Sequence, residues 1–293
     1  MVKFSEKQII FAGKAFRYLG FSRLARFQQP TDNIRISTTH FVKSSDMENF
    51  DKIIRFISTK REIITPDKFF EIYGNNNSNK LKGEKLLMTF DDGFYSSYRA
   101  AKKVLSKYNI KAIFFIPTKI LDLRTKEEMK KFSVNNIYNN EVIPKLLTEE
   151  EYVFMNRDNL IDLHNDGHWI LPHSHTHCDI SKIKNEEDVY RELIQPQEIL
   201  SKLLGDKIES FAFPNGTEKV VSSFSYNRMM EIYKFTFPAL LGINHTGTDP
   251  HFFHRDCIHA HYSLNYVNDI LNGVFDPYYS LKMKRLQNKI KCT

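Results

Sequence analysis

Two adjacent aspartates, Asp91 and Asp92, follow the continuous apolar run 86–90 and precede Gly93. Such a run predicts a buried parallel strand, and functional residues of parallel α/β folds gather where strands end. Like charges this close raise the pKa of one carboxyl unless a cation lies nearby. A metal bound by one carboxylate would offset this repulsion and leave the other carboxylate free as a base. The alternative is an ordinary solvated Asp-Asp-Gly turn.

A second cluster is the His-Ser-His-Thr-His segment from His173 to His177, directly after Pro172. If this segment forms a helical turn, His173 and His177 share one face with Cβ atoms ~5–6 Å apart. That placement suits one ion bound through two ring nitrogens. We expect His175 to point elsewhere and Cys178 to be structural. The alternative is a set of surface histidines, or of buried histidines with ordinary hydrogen bonds.

Two histidines and one carboxylate leave coordination positions open around an ion. Open positions are typical of a catalytic metal rather than a structural one. Such a metal polarises a carbonyl group and lowers the pKa of a bound water toward ~7. The two clusters together therefore predict hydrolytic chemistry.

The elements that must position these residues alternate between strands and helices. Residues 85–117 have the pattern of a βαβ unit, with strands at 86–90 and 112–116 and a helix at 97–107. Repeated alternation of this kind predicts a parallel sheet, open or closed into a barrel. Further strands are predicted at 34–40, 169–171, 208–213 and 239–243. One further helix is predicted after a Ser45/Glu48 capping box and another from Thr65-Pro66. A polar insertion at 121–150 is predicted to contain a helix near 126–131. The remaining predicted helices are at 156–164, 186–204 (kinked at Pro196) and 226–233.

Three segments resemble the motifs of the polysaccharide deacetylase family, the NodB-homology proteins of carbohydrate esterase family 4. Residues 89–93 match the first motif, T-F-D-D-G, and residues 167–177 contain the second, H-[ST]-x-x-H. Residues 211–216 resemble the third, usually written F-R-x-P-Y-G. The resemblance covers roughly residues 34–258 and implies an α/β fold, a distorted (β/α) barrel of about seven strands.

The resemblance also implies an activity, which is removal of N- or O-acetyl groups from sugars with a divalent metal, most often Zn²⁺. A backbone N–H near Asn215 would stabilise the oxyanion, and Pro214 with Asn215 would contact substrate. By position, the resemblance makes Asp91 the base and makes Asp92, His173 and His177 the metal ligands.

The sequence departs from the family in two places. Ala212 replaces the third-motif arginine, so we expect Arg255 to orient Asp91 instead; the alternative for Arg255 is a surface salt bridge. The last family motif, a Leu-x-His that supplies the general acid, has no clear match. His259 and His261 are the nearest candidates, and His261 is the catalytic residue predicted here.

Composition limits the classes of protein to which the chain can belong. Hydrophobic residues make up 41% and charged residues 26%, as in ordinary globular proteins, and three cysteines argue against a disulfide framework. No apolar run reaches the ~18 residues of a membrane span, and no signal peptide is evident. We therefore expect a cytoplasmic protein. The net charge of +7 accompanies no nucleic-acid motif, so nucleic acid is not an expected partner.

Three regions are predicted: a helical extension at 1–30, a catalytic domain at 31–275 and a basic tail at 276–293. The extension has an amphipathic pattern, which fits either a helix packed on the domain or one lying on anionic lipid at the inner membrane face. The oligomeric state is not predicted.

The leading hypothesis is an N-deacetylase of an amino sugar, acting on a polysaccharide or on a lipid-linked or nucleotide-linked precursor of a surface polysaccharide. The basic ends of the chain would suit phosphate or lipid head groups. Two alternatives are a catalytically silent homologue that binds glycan and a metal-dependent hydrolase of a non-sugar amide.

Overall fold

The computed structural model describes residues 29–74, 81–216, 222–277 and 280. The helical extension predicted at 1–30 and the tail predicted at 276–293 lie almost wholly outside these residues. Strands are β1 (Asn33–Thr39), β2 (Glu62–Ile64), β3 (Glu84–Phe90), β4 (Ile113–Ile116), β5 (Trp169–Pro172), β6 (Ser210–Ala212), β7 (Phe235–Phe237) and β8 (Asp256–Cys257). Helices are α1 (Met47–Ser58), α2 (Pro66–Gly74), α3 (Tyr95–Lys103), α4 (Lys126–Phe132), α5 (Arg157–Asn165), α6 (Glu186–Val189), α7 (Gln195–Leu204), α8 (Ser223–Ile232) and α9 (Leu264–Leu271).

A six-stranded parallel sheet forms the centre of the molecule, with β3 in its middle. The strand order is β5-β4-β3-β1-β8, and β2 pairs with the first half of β3. All pairings are parallel, so the carboxyl ends of β1, β3, β5 and β8 lie at one edge. The residues from Lys85 to Phe90 in β3 are all buried, as the continuous apolar pattern predicts.

A second parallel ladder joins β6 and β7. Within the described residues the two ladders are separate, so hydrogen bonds between strands do not close the barrel. A bond from the backbone N–H of Phe213 to the carbonyl of Phe237, at 3.1 Å, extends the second ladder. The predicted α/β fold with a parallel sheet is confirmed.

Apolar stripes explain how the helices pack on the sheet. In α1 the predicted stripe of Phe50, Ile53, Ile54 and Ile57 is buried. The predicted Ser45/Glu48 capping box is wrong, because a short 3₁₀ turn at 44–46 precedes the helix and moves its start to Met47. Other 3₁₀ turns lie at Leu105–Tyr108, Thr118–Asp122, Pro144–Leu146, Glu149–Glu151 and Ile180–Lys182.

Two predicted elements differ from the structure. The strand expected at 239–243 is absent, and the chain instead forms β7, which ends immediately before Pro238. Proline has no N–H to continue a ladder, so the strand ends there. The long helix expected at 186–204 is interrupted by a π-helical segment, Tyr190–Ile194, just before Pro196. In the part of the chain that is described, no helix has the length and apolar character needed to cross a bilayer.

A buried ion-pair network ties the outer strand to the sheet. Arg35 of β1 is fully buried and donates to both oxygens of Asp256 in β8, at 2.9 and 3.1 Å. Its second terminal nitrogen lies 2.5 Å from Asp276. Because Asp256 sits directly beside Arg255 in the chain, this network also fixes the start of the segment that reaches the site.

The Arg35 network gives a prediction about stability. Arg35→Met should lower the free energy of unfolding by about 3–5 kcal/mol, because it leaves buried Asp256 without its partner. Urea denaturation measures this loss. Lys52→Met, which removes the exposed Lys52–Glu48 pair, is the control and should lower the free energy of unfolding far less, because solvent screens an exposed pair. Equal losses in the two variants would contradict this account of the network.

Candidate metal centre and active site

The turn after β3 directs two carboxylates into one cavity. Asp91 continues the ladder, since its backbone N–H donates to the Thr39 carbonyl at 3.0 Å. Asp92 and Gly93 then both take left-handed backbone conformations, with φ of 71° and 72°. A Cβ on Gly93 would also lie 2.5 Å from a methyl carbon of Ile120, so only glycine fits. This sharp turn, rather than a strand, allows adjacent side chains to share a site.

The two histidines converge through a loop and not through the predicted helical turn. The segment after β5 contains no helix, and Ser174 and His177 have positive φ of 60° and 57°. The loop is held by the Thr118 N–H, which donates to the Ser174 carbonyl at 3.2 Å, and by the Thr176 N–H, which donates to Glu192 at 3.0 Å. The four-residue spacing identified two histidines whose rings do converge, but the geometry comes from these tertiary contacts.

Hydrogen bonds define which ring nitrogens are available for a metal. Nδ1 of His173 lies 2.9 Å from the Ala212 carbonyl, and Nδ1 of His177 lies 2.9 Å from the Asn136 carbonyl. A carbonyl only accepts, so both Nδ1 atoms carry the proton and both Nε2 atoms keep a lone pair in the neutral ring. Hydrogen-bonded imidazoles of this kind are the usual arrangement around a protein-bound metal.

Three electron-pair donors therefore face one another at the centre. Asp92 Oδ1 lies 3.2 Å from His177 Nε2 and 3.5 Å from His173 Nε2. This oxygen is buried and has no hydrogen-bond partner. Leaving a buried charged oxygen unsatisfied is costly, and a cation between the three atoms would remove the cost. The three residues thus form a candidate site for a divalent metal, which they fit in both donor type and arrangement.

Asp91 is held apart from this set by Arg255. Nη1 of Arg255 donates to Asp91 Oδ1 at 2.7 Å, and both side chains are buried. Burial acts to raise the pKa of Asp91, but the charges of Arg255, His173 and His40 together with the Arg255 hydrogen bond outweigh it, and the pKa lies below its ordinary value. Arg255 also stacks over Phe115, with Cζ 5.2 Å from the ring centroid. It occupies the place expected for an arginine that orients Asp91, and it is not a surface salt bridge.

A cavity of about 330 Å³ opens in front of these residues. Asn215 lies on its wall with a left-handed backbone (φ 57°), whereas Pro214, predicted to contact substrate, is buried and does not line the cavity. His261 is exposed and does not line the cavity, although His259 does. The cavity is lined by His40, Phe41, Asp91, Asp92, Phe94, Ile137, Tyr138, His173, His177, Phe213, Asn215, Ala239 and His259.

Two contributors to the site were not identified from sequence. His40 lines the cavity immediately after β1, and its position at the carboxyl end of a predicted parallel strand was a usable signal. Asn136 accepts from His177 through its backbone carbonyl, and its side-chain Nδ2 donates to the Thr176 carbonyl at 2.9 Å. Both contacts are made between segments distant in sequence, so the polar insertion at 121–150 gave no indication of this role.

A protein-family model described as polysaccharide deacetylase matches residues 78–229, slightly more than half of the chain. No curated protein shows a significant match to the chain.

Several solved structures share the fold. The Streptococcus pyogenes deacetylase PplD, in complex with acetate, superposes with a TM-score of 0.62 at 16% identity, covering 82% of this chain and 99% of PplD. A de-N-acetylase from Aggregatibacter actinomycetemcomitans gives a TM-score of 0.62 at 14% identity, covering 82% and 100%. IcaB from Ammonifex degensii gives 0.59 at 17% identity, covering 82% and 97%. The family match includes both the Asp91-Asp92 turn and the histidine loop, and the protein accordingly belongs to the polysaccharide deacetylase family.

Proposed function

We propose that the protein is a metal-dependent hydrolase that removes the N-acetyl group from an amino sugar. The observation that carries the proposal is the buried set of Asp92, His173 and His177 beside a second carboxylate, Asp91, that Arg255 keeps free. A site that only bound glycan would have no need to separate the roles of two adjacent carboxylates.

Asp92, His173 and His177 would hold the metal, for which Zn²⁺ is the proposed identity. Two imidazole nitrogens and one carboxylate oxygen are ligands that zinc accepts, and three protein ligands leave positions open for reactants. When bound, such an ion polarises the acetyl carbonyl and lowers the pKa of the attacking water.

Asp91 is the proposed general base. Its Oδ1 is occupied by Arg255, while Oδ2 is 3.8 Å from His173 Nε2 and so lies at the edge of the metal site. A low pKa keeps Asp91 ionised and able to accept the proton of the attacking water. Arg255 is a positioning residue in this scheme, because it fixes the carboxylate and touches no reacting atom.

The departing amine needs a proton, and the structure favours His40 over His261 as its source. His40 lines the cavity, whereas His261 lies outside it. Burial acts to lower the pKa of His40, but the neighbouring Cys257 and the charges of Asp92 and Asp91 together outweigh it and raise the pKa. A raised pKa keeps the imidazole protonated, as a general acid requires.

The cavity suits one sugar unit of a larger substrate. Its volume of about 330 Å³ lies at the lower end of the ~300–1,000 Å³ of ordinary small-molecule sites. The half-buried Phe41 and Tyr138 provide aromatic surface against which a sugar ring can pack. The similar structures support the choice of reaction, since one is a de-N-acetylase and another was solved with acetate.

The carrier of the sugar is a further proposal, based on charge alone. Basic residues gather near both ends of the chain, outside the described residues. They would suit the phosphate of a nucleotide-linked or lipid-linked precursor, in the cytoplasm or at the membrane face.

The proposal is tested by acetate release from a panel of N-acetylamino sugars in free, polymeric, nucleotide-linked and polyprenyl-phosphate-linked forms. We expect release from at least one form, loss of release with chelator, and recovery when Zn²⁺ is restored. Release that survives complete removal of metal would contradict the mechanism. Metal binding with no acetate from any sugar would instead favour the silent glycan binder or a hydrolase of a non-sugar amide.

The base and a metal ligand should respond differently to substitution. Asp91→Asn should retain metal but lose roughly 10²–10⁴-fold in turnover, the usual contribution of a general base. His177→Ala should lose both metal and turnover. Metal content by elemental analysis and acetate release separate the two effects. His175→Gln is the control, because His175 contacts Thr118 and not the centre; it should keep both properties.

Arg255 should set the acidic limit of activity. Activity requires ionised Asp91, so it declines as pH falls through the pKa of Asp91. Arg255→Met removes the charge that lowers this pKa, so the acidic limb of kcat/KM should move to higher pH. Arg228→Met is the control, because Arg228 pairs with Glu186 on the surface. An unmoved acidic limb in Arg255→Met would show that Arg255 does not tune Asp91.

The acid can be identified by comparing two histidine variants. His40→Gln should lower kcat strongly and flatten the decline of activity at high pH that deprotonation of the acid causes. His261→Gln should leave kcat and the pH profile nearly unchanged. The opposite result would return the role to His261, as the sequence alone indicated.

A further inference from the structure

A second group of metal-ligating side chains lies where β1 and β8 end together. Cys257 pairs with Thr38 in the ladder, and the Ile258 N–H donates to the Thr38 carbonyl at 2.9 Å. Thr39 Oγ1 donates to the Ile258 carbonyl at 2.8 Å and extends this contact by one residue. The next position along each strand is therefore a histidine, His40 on one and His259 on the other.

Strand geometry places three donors on the same side. Side chains two apart in an extended segment share a face, so Cys257 and His259 point the same way. The His259 ring stacks on that of His40, with centroids 5.8 Å apart. Arg255, two residues before Cys257, also follows this alternation and reaches Asp91 inside the site. The face that carries Cys257 and His259 is thus the face that borders the cavity.

The donor atoms are close enough to share an ion. One atom from each of His40, Cys257 and His259 lies within 4.8 Å of the other two. Cys257 Sγ is 3.2 Å from His259 Nε2. His40 Nδ1 is buried and has no hydrogen-bond partner, although a buried polar atom normally has one. Small side-chain rotations would bring all three to the ~2.0–2.3 Å ligand distances of zinc.

We propose that His40, Cys257 and His259 form a second metal site, separate from the centre at Asp92. A thiolate with two imidazoles is a softer donor set than one with a carboxylate. It suits Zn²⁺, Co²⁺ or Cu⁺ and disfavours Mg²⁺ and Ca²⁺. None of these three residues belongs to the first set, so both sites can be filled in one molecule.

Occupation of this site would inhibit the reaction, a consequence that rests on the proposed function. His40 and His259 line the same cavity as Asp91. An ion bound to His40 would occupy the imidazole lone pair that otherwise binds the proton donated to the departing amine. The metal that supports hydrolysis at one site would then oppose it at the other, so activity should rise and fall as metal concentration increases.

Co²⁺ distinguishes the two sites by spectroscopy. Thiolate-to-cobalt charge transfer gives a near-ultraviolet band, and the Asp92 centre contains no sulfur. Metal-free full-length protein titrated with Co²⁺ should bind two ions and develop this band. Cys257→Ser should bind one ion and lack the band, while Cys178→Ser should behave like the unsubstituted protein. Absence of the band, or its persistence in Cys257→Ser, would overturn the proposed site.

The inhibitory role is tested by a ratio measured within each variant. Acetate release with excess Zn²⁺ is divided by release with one equivalent. In the unsubstituted protein, release with excess Zn²⁺ should be at least tenfold lower than release with one equivalent. In Cys257→Ser the two rates should be nearly equal. A cobalt band with an unchanged ratio would overturn the inhibitory role. If no sugar yields acetate, the proposed function fails, yet the cobalt titration still decides whether the site exists.

Discussion

The ion pair between Arg255 and Asp91 is the interaction on which the site depends. Two adjacent carboxylates at the end of one strand repel each other and would compete for the same cation. Arg255 takes one oxygen of Asp91 at 2.7 Å and leaves Asp92 to face His173 and His177. In the proposed mechanism one of these two identical side chains is a base and the other a metal ligand, and the difference between them comes from their surroundings.

The parallel sheet makes this arrangement possible. The strands β1, β3, β5 and β8 end at one edge, so His40, the aspartate turn, the histidine loop and the segment after Cys257 meet there although they lie far apart in sequence. Arg255 reaches the site because the buried pair of Arg35 and Asp256 fixes the strand beside it. The chemistry and the stability of this edge therefore depend on two adjacent residues, Arg255 immediately before β8 and Asp256 at its start.

The fold and the grouping of Asp92, His173 and His177 could be predicted from the chain because their signals are local. Buried apolar runs, the Asp-Asp-Gly turn and the spacing of His173 and His177 all lie within a few residues. The strand expected at 239–243 was wrong because Pro238 ends β7 earlier. The helical turn at His173 was wrong because Thr118 and Glu192, distant in sequence, hold the loop open. His40 was missed because its neighbours Cys257 and His259 lie across the sheet, and only its place at the end of β1 pointed to the site.

Anomalous diffraction at the zinc edge, from crystals grown with one equivalent of Zn²⁺, would show which side chains bind the ion. We expect the strongest peak in contact with Asp92, His173 and His177, with Asp91 still paired to Arg255 and not bound to the ion. An ion coordinated by Asp91, or one found only among His40, Cys257 and His259, would contradict the assignment of base and ligand.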